Sequence, residues 1–359
     1  MEPPVISIVL TTYNSEKIIR NVLDSILKQK FPLNRVELII VDGGSKDRTP
    51  LIIKGFIREH KDKFLRVKFV IHDKNHGVSK ARNDGVKLSR GQYVLILDHD
   101  VVMGEQVLKS LAEYLEVSPK NVGVAKPLLH TVKGRLLDIW RDRIFENKVM
   151  KDSTIADCAL IRREVIEHVG YYDETLGPPH TICEEREYGA RVEAKGYEVH
   201  SIGWVKVDHY QGIEENNANK EPLNQHAADK ILKSLALTQL VVLKLLSDFR
   251  YRQALRKWVA SMPSFKRLKW MLYSMIMPAL VITFFIAITL ETYIPILLWG
   301  FIVSALYSDV LREYWNPRVL HITFLYSAVA LTWRIARSTM LLIPTKVYSQ
   351  GARAQGVLT

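Results

Sequence analysis

Three apolar runs, each closed by a polar turn, restrict this chain more than any other feature. Residues 5–10 (VISIVL), 36–41 (VELIIV) and 93–97 (YVLIL) are nearly continuous in Val, Ile and Leu. Strands that are apolar on both faces belong to parallel sheets covered by helices above and below. After the first run, Ile18, Ile19, Val22, Leu23, Ile26 and Leu27 recur at helical spacing. Ser15 is placed as the N-cap of that helix, which is expected to reach Lys30 before Pro32 ends the region. Further helices are expected over 49–60 and 78–88, with another strand at 67–71. The alternation predicts parallel βαβ units with crossings on both faces.

The end of the fourth strand carries the chemistry. Asp98, His99 and Asp100 follow the run 93–97 directly. In open α/β sheets, ligands bind beyond the carboxyl ends of the strands. Two carboxylates there suit a divalent cation carrying a phosphate. The competing reading is an Asx-type turn; the position after a buried strand favours the cation. Asp42-Gly43-Gly44-Ser45 closes another strand, and its glycines allow close approach of a ligand, though a plain βα turn has the same look. No GxGxxG or GxxxxGK[ST] pattern occurs. Arg82, in Ala81-Arg82-Asn83-Asp84-Gly85, can pair with a diphosphate, buttress the acids or form a surface salt bridge. Glu184-Glu185-Arg186-Glu187 opens a helix over 184–195, as dipole complements or with one carboxylate serving as a general base. His209, after a strand expected at 197–207, is a third metal-ligand candidate or a structural histidine.

Between these segments a helix is expected at 106–117, a strand at 122–125, order again from 157 to 161 and a helix at 163–169. The basic, poorly patterned stretch 126–153 reads as a mobile segment over the site. Cys158 and Cys183 lack zinc spacing and read as free thiols.

The formal net charge of +12 favours anionic partners. Much of it precedes an apolar region: Lys244, Arg250, Arg252, Arg256, Lys257, Lys266, Arg267 and Lys269, opposed by Asp248. Such a cluster reads as contact with anionic membrane lipids, with the preceding domain on the cytosolic side. Nucleic acid is not expected as a partner, since no zinc-finger, RNP or helix-turn-helix pattern accompanies the charge. The apolar stretch 270–290 has spanning length, 293–307 can pair with it as a hairpin, and 319–343 carries Arg334 and Arg337. Whether this last stretch spans stays open. The expected organisation is therefore a catalytic domain at 1–225, basic interfacial helices at 226–269 and a multi-pass membrane domain at 270–359.

Read in order, these motifs resemble the family 2 glycosyltransferases of the GT-A fold. The matching residues are SIVLTTYN (7–14), VDGGSKD (41–47), Asn75-His76-Gly77 with 81–85, the DxD set Asp98-His99-Asp100, the segment 161–174, and Glu184-Glu185 ahead of Arg191 and Gly196-Tyr197. The resemblance spans about residues 5–210. It implies an α/β, Rossmann-like GT-A domain and an inverting transfer from a nucleotide-diphosphate sugar with Mg²⁺ or Mn²⁺. Thr12, Tyr13, Asn14, Asp42, Gly43, Asp47, Arg82 and Asp98 would bind the nucleotide sugar, with Asp42 on the base. Asp98, Asp100 and His209 would hold the metal, Glu185 would be the catalytic base and Glu184 its acidic neighbour. The membrane part is similar to that of polyprenyl-phosphate glycosyltransferases, which implies a lipid-linked acceptor. A processive polysaccharide synthase is the alternative enzyme, although Gln253-Ala254-Leu255-Arg256-Lys257-Trp258 has one residue too many for the Gln-x-x-Arg-Trp motif of polymer makers. A silent nucleotide-binding membrane scaffold is the alternative of another class. The sequence leaves the sugar, the nucleotide and the oligomeric state unassigned.

Overall fold

The computed structural model describes residues 6–132, 144–176 and 183–210, together with 257, 259–264 and 267. The chain divides into two compact units, residues 1–220 and 221–359. In the second, the described residues form helical turns in which the Ser261 hydroxyl donates to the Lys257 carbonyl (3.0 Å). The apolar stretches 270–290, 293–307 and 319–343 and most of 226–269 lie outside the described residues. Among the described residues no helix is long and apolar enough to cross a membrane.

The first unit is built on a nine-stranded sheet. Its strands are β1 (Ile6–Thr12), β2 (Val36–Asp42), β3 (Arg66–Ile71), β4 (Tyr93–Asp98), β5 (Val101–Met103), β6 (Val122–Thr131), β7 (Val149–Asp152), β8 (Cys158–Arg162) and β9 (Glu198–His209). The order is β3-β2-β1-β4-β8-β6-β9-β5, with β7 on β9. The helices are α1 (Ile19–Leu27), α2 (Thr49–His60), α3 (Val78–Leu88), α4 (Val107–Val117), α5 (Arg163–Val169) and α6 (Glu184–Ala194).

Strands β1 to β4 pair in parallel, and every residue of β1 and β2 is buried. One apolar layer sets Ile8, Leu10, Leu38, Ile40 and Leu95 against α1, α2 and α4. The other sets Val9, Ile39, Val41, Val94 and Ile96 against residues of α3, α5 and α6. The alternation along each strand divides the side chains between these layers.

Beyond β4 the sheet departs from the parallel expectation. β8 runs antiparallel to β4 and β6, β5 and β7 run antiparallel to β9, and β6 pairs with β9 in parallel. The stretch 126–153 is likewise not simply a mobile cover. Residues 126–131 complete β6, whose Lys126 is buried, and 149–152 form β7; residues 133–143 lie outside the described residues. The charged side chains of Lys126, Lys151 and Asp152 hid strand backbone whose partners are far away in sequence. Ser15 does not cap α1 with its side chain. Its carbonyl accepts the amides of Ile18 and Ile19, and the helix begins at Ile19. Neither Cys158 nor Cys183 forms a disulfide.

Candidate active site

The carboxyl ends of β1, β2 and β4 meet where sheet topology brings α3 and the start of α6 alongside. Asp98, the last residue of β4, accepts from the Thr11 hydroxyl (3.0 Å) and from Arg82 Nη2 (2.7 Å). Arg82 sits on α3 and is 2% exposed, with its guanidinium 5.3 Å above the Tyr172 ring. Its Nη1 stands 3.4 Å from Glu184 Oε1, and its Nε has no partner among the described residues. Burial works against the Arg82 charge, but Asp98, Tyr172 and Glu184 outweigh it and hold the guanidinium firmly protonated.

Glu184 and Glu185 occupy the first turn of α6, preceded by Cys183 at φ 59°. Burial pushes Glu184 up to about 7; Arg82 opposes that shift, and Glu185 and Asp98 add to it. The backbone carbonyl of Glu185 accepts the Ile155 amide (3.2 Å). Tyr188, one turn on, stacks on Tyr172 with centroids 4.2 Å apart, and the Tyr172 hydroxyl donates to the Ile155 carbonyl (2.9 Å).

Asp100 and His209 meet across the sheet, Oδ2 to Nε2 at 3.2 Å. Burial opposes the Asp100 charge, but the bond from His209 holds its carboxyl below the ordinary range; His209 is raised, burial being outweighed by Asp100. The pair offers one oxygen and one nitrogen donor, which fits part of a divalent-cation site whose remaining positions waters and a diphosphate can fill. Asp98, also named as a ligand from sequence, has its Oδ1 on the Thr11 hydroxyl and its Oδ2 on Arg82 and the Asp157 amide. Among the described residues no three His, Cys, Asp or Glu side chains gather closely enough to hold a metal.

The nucleotide-binding candidates form a separate knot at the ends of β1 and β2. Asp42 is fully buried; its Oδ1 accepts the amides of Gly44 (3.1 Å) and Ser45 (2.8 Å), and its Oδ2 accepts the hydroxyls of Thr12 (2.8 Å) and Ser45 (2.6 Å). A carboxylate has about four acceptor sites, and the four bonds from Thr12, Gly44 and Ser45 hold Asp42 in one orientation. Gly44 needs its φ of 83°, and a Cβ there would press to 3.0 Å on the Lys74 backbone. Asn14 Oδ1 accepts the Lys46 amide (2.9 Å), and Asp47 accepts the amides of Glu16 (3.0 Å) and Thr49 (3.0 Å). Tyr13 stands 38% exposed beside Gly43, whose amide donates to the Thr12 carbonyl (2.8 Å).

Two residues of this region were not singled out from sequence as site candidates. Asp157, at φ 58° before β8, has its amide on Asp98 Oδ2 (3.3 Å), and its carboxyl is pushed up to about 6, first by burial and then by Asp98 and Glu185. Lys126 Nζ bonds Asp152 Oδ2 (3.0 Å) and Thr154 Oγ1 (2.8 Å) from within β6. A lone Asp and one Lys among several carry no local signal; only the antiparallel return of β8 brings them in.

Residues 7–170 match the model for glycosyl transferase family 2. This segment is similar to the family 2 glycosyltransferase domains. The poly-beta-1,6-N-acetyl-D-glucosamine synthase of Staphylococcus epidermidis is 32% identical over 214 residues, 56% of this chain and 50% of that protein. The chain spans half or less of the length of such curated relatives. S. aureus TarS 1-349 in complex with UDP shares the fold at TM-score 0.51 and 19% identity, over 97% of this chain and 92% of that one. The mannosyltransferase PcManGT from Pyrobaculum calidifontis, in complex with GDP-Man and Mn²⁺, gives 0.50 at 15%, over 100% and 82%. At these identities the likeness is one of fold: the matched domain has the α/β GT-A architecture on a mixed sheet.

Proposed function

We propose that the chain is a nucleotide-sugar-dependent, inverting glycosyltransferase acting on a lipid-linked acceptor of the polyprenyl-phosphate type at the cytosolic membrane face. The observation that carries the reading is the link from Asp98 through Arg82 to the first turn of α6, which sets two glutamates beside the carboxyl end of β4. The family 2 match over 7–170 supports the donor class. The basic cluster at 244–269 and the apolar stretches after it support the membrane-bound acceptor.

Glu185 is assigned as the base. It takes the proton of an acceptor hydroxyl, whose oxygen attacks the anomeric carbon from the side opposite the leaving group. The new carbon–oxygen bond forms as the bond to the diphosphate breaks, and the nucleoside diphosphate leaves with the electron pair. A phosphate acceptor is already ionised, and Glu185 then orients it. Asp100 and His209 would hold Mg²⁺ or Mn²⁺ with the diphosphate, and the bound cation would supply charge compensation. Arg82 holds Asp98 and Glu184 in place.

A second reading is a processive polysaccharide synthase, favoured by the 214-residue overlap with the poly-N-acetylglucosamine synthase. Product length separates them. With membrane-reconstituted full chain, a labelled nucleotide sugar and a polyprenyl phosphate, a single added sugar supports the first reading. A ladder of products supports the second, and no transfer from any uridine or guanosine diphosphate sugar counts against both.

A further inference from the structure

We infer that the Lys126–Asp152 pair is a positioning device: it clamps residues 153–157, the strut that fixes Asp98 relative to the first turn of α6. The inference rests on the transferase reading for its catalytic consequence, while the strut itself is a matter of geometry.

The clamp joins three strands. Lys126 on β6 is 5% exposed and bonds Asp152 Oδ2 at 3.0 Å, Thr154 Oγ1 at 2.8 Å and the Thr154 carbonyl at 3.2 Å. Asp152 on β7 accepts from the Ser201 hydroxyl of β9 (2.9 Å). Its Oδ1 also accepts the amides of Ser153 (2.6 Å) and Thr154 (3.1 Å) and the Thr154 hydroxyl (3.0 Å). The Thr154 hydroxyl thus accepts from Lys126 and gives its one proton to Asp152.

From this knot the strut reaches both sides of the candidate site. The Ile155 amide donates to the Glu185 carbonyl (3.2 Å). One helical turn later, the Ser153 carbonyl lies so close to Gly189 that any Cβ there would overlap it. At its other end the strut meets β4 twice: the Asp98 amide donates to the Asp157 carbonyl (2.8 Å), and the Asp157 amide donates to Asp98 Oδ2 (3.3 Å). Five residues therefore span from the acid of β4 to two successive turns of the helix that carries Glu185. An ion pair with one buried and one partly exposed partner contributes little net stability compared with apolar replacements. What this pair supplies is a fixed origin for the strut, and displacement of reacting groups by about 1 Å can cost on the order of 100-fold in rate.

The test uses Thr154→Val, Thr154→Ser and the double variant Lys126→Met/Asp152→Leu in the full chain. The valine has the threonine's shape without its hydroxyl, and the double variant replaces the pair by apolar side chains. We expect Thr154→Val and the double variant to stay folded, to keep the donor KM within about threefold, and to lose about 10- to 100-fold in kcat. Thr154→Ser should retain wild-type kcat. Amide hydrogen exchange gives a readout independent of turnover: the amides of Asp98 and Ile155 should exchange at least about tenfold faster in Thr154→Val, with residues 36–42 unchanged. Faster exchange confined to 148–154, with Asp98 and kcat unchanged, overturns the inference. Unfolding of both Thr154→Val and the double variant assigns the pair to stability alone and overturns it as well. If wild-type protein transfers no sugar, the functional reading fails, while the exchange of Asp98 and Ile155 still decides this one.

Discussion

Arg82 and Asp98 meet at 2.7 Å at the carboxyl end of β4, and the other arm of the same guanidinium stands 3.4 Å from Glu184. One buried cation thereby ties the acid of the central parallel strand to the acidic helix that follows far later in the chain. Of the roles the sequence offers Arg82, pairing with a diphosphate or buttressing the acids, the structure shows it on the acids.

Removing that bridge should be expensive. Arg82→Met leaves Asp98 and Glu184 buried without their cation, and breaking a buried pair in this way costs about 3–5 kcal/mol. Arg82→Lys should cost less, since it keeps the charge but loses the fork that reaches both acids. Urea unfolding followed by circular dichroism checks both; equal stability of Arg82→Met and wild type would contradict the bridge.

Glu184 makes stability fall as pH rises. Its carboxyl is raised from the ordinary 4.5 to about 7, so between those values the unfolded chain gives up a proton that the folded chain retains. Folding therefore gains nothing from this group below about pH 4.5 and is progressively penalised up to about pH 7. Glu184→Gln should gain on wild type across that window and hold the gain above it, by roughly several degrees in Tm. Melting curves at pH 4, 6 and 8 check the trend. A variant equally destabilised at all three would show that the Arg82 contact outweighs burial.

The Asp100–His209 pair predicts where a cation binds. Asp100→Ala and His209→Ala should each weaken Mn²⁺ binding, measured calorimetrically in the presence of a nucleoside diphosphate, by at least about tenfold. Asp208→Asn, the exposed neighbour on β9, should leave it unchanged. Unaltered Mn²⁺ binding in Asp100→Ala would remove this residue from the site.

Much of the fold was readable because its signals are local. The helices at 49–60 and 78–88 follow from periodicity, and the runs at 36–41 and 93–97 from strands buried on both faces. Acids at strand ends were readable for the same reason, which is why Asp98, Asp100 and Asp42 could be named at all. What could not be read depends on pairings distant in sequence. The antiparallel β8 reads locally like a parallel strand, and the part of β6 beyond the expected 122–125 hides behind Lys126 and Pro127. Asp157 and Lys126 become neighbours of the site only through those pairings. Asp42 was readable by its residue type, while its bonds to Thr12 on β1 and to the Gly44-Ser45 turn were not.

The most direct measurement compares wild type with Glu185→Gln for sugar transfer from a nucleotide-diphosphate sugar to membrane lipid acceptor, with nucleotide binding followed in parallel. The account predicts that kcat falls by about 10²- to 10⁴-fold, while the dissociation constant of the nucleotide stays within about twofold. Undiminished transfer by Glu185→Gln, or loss of nucleotide binding in step with turnover, would contradict it.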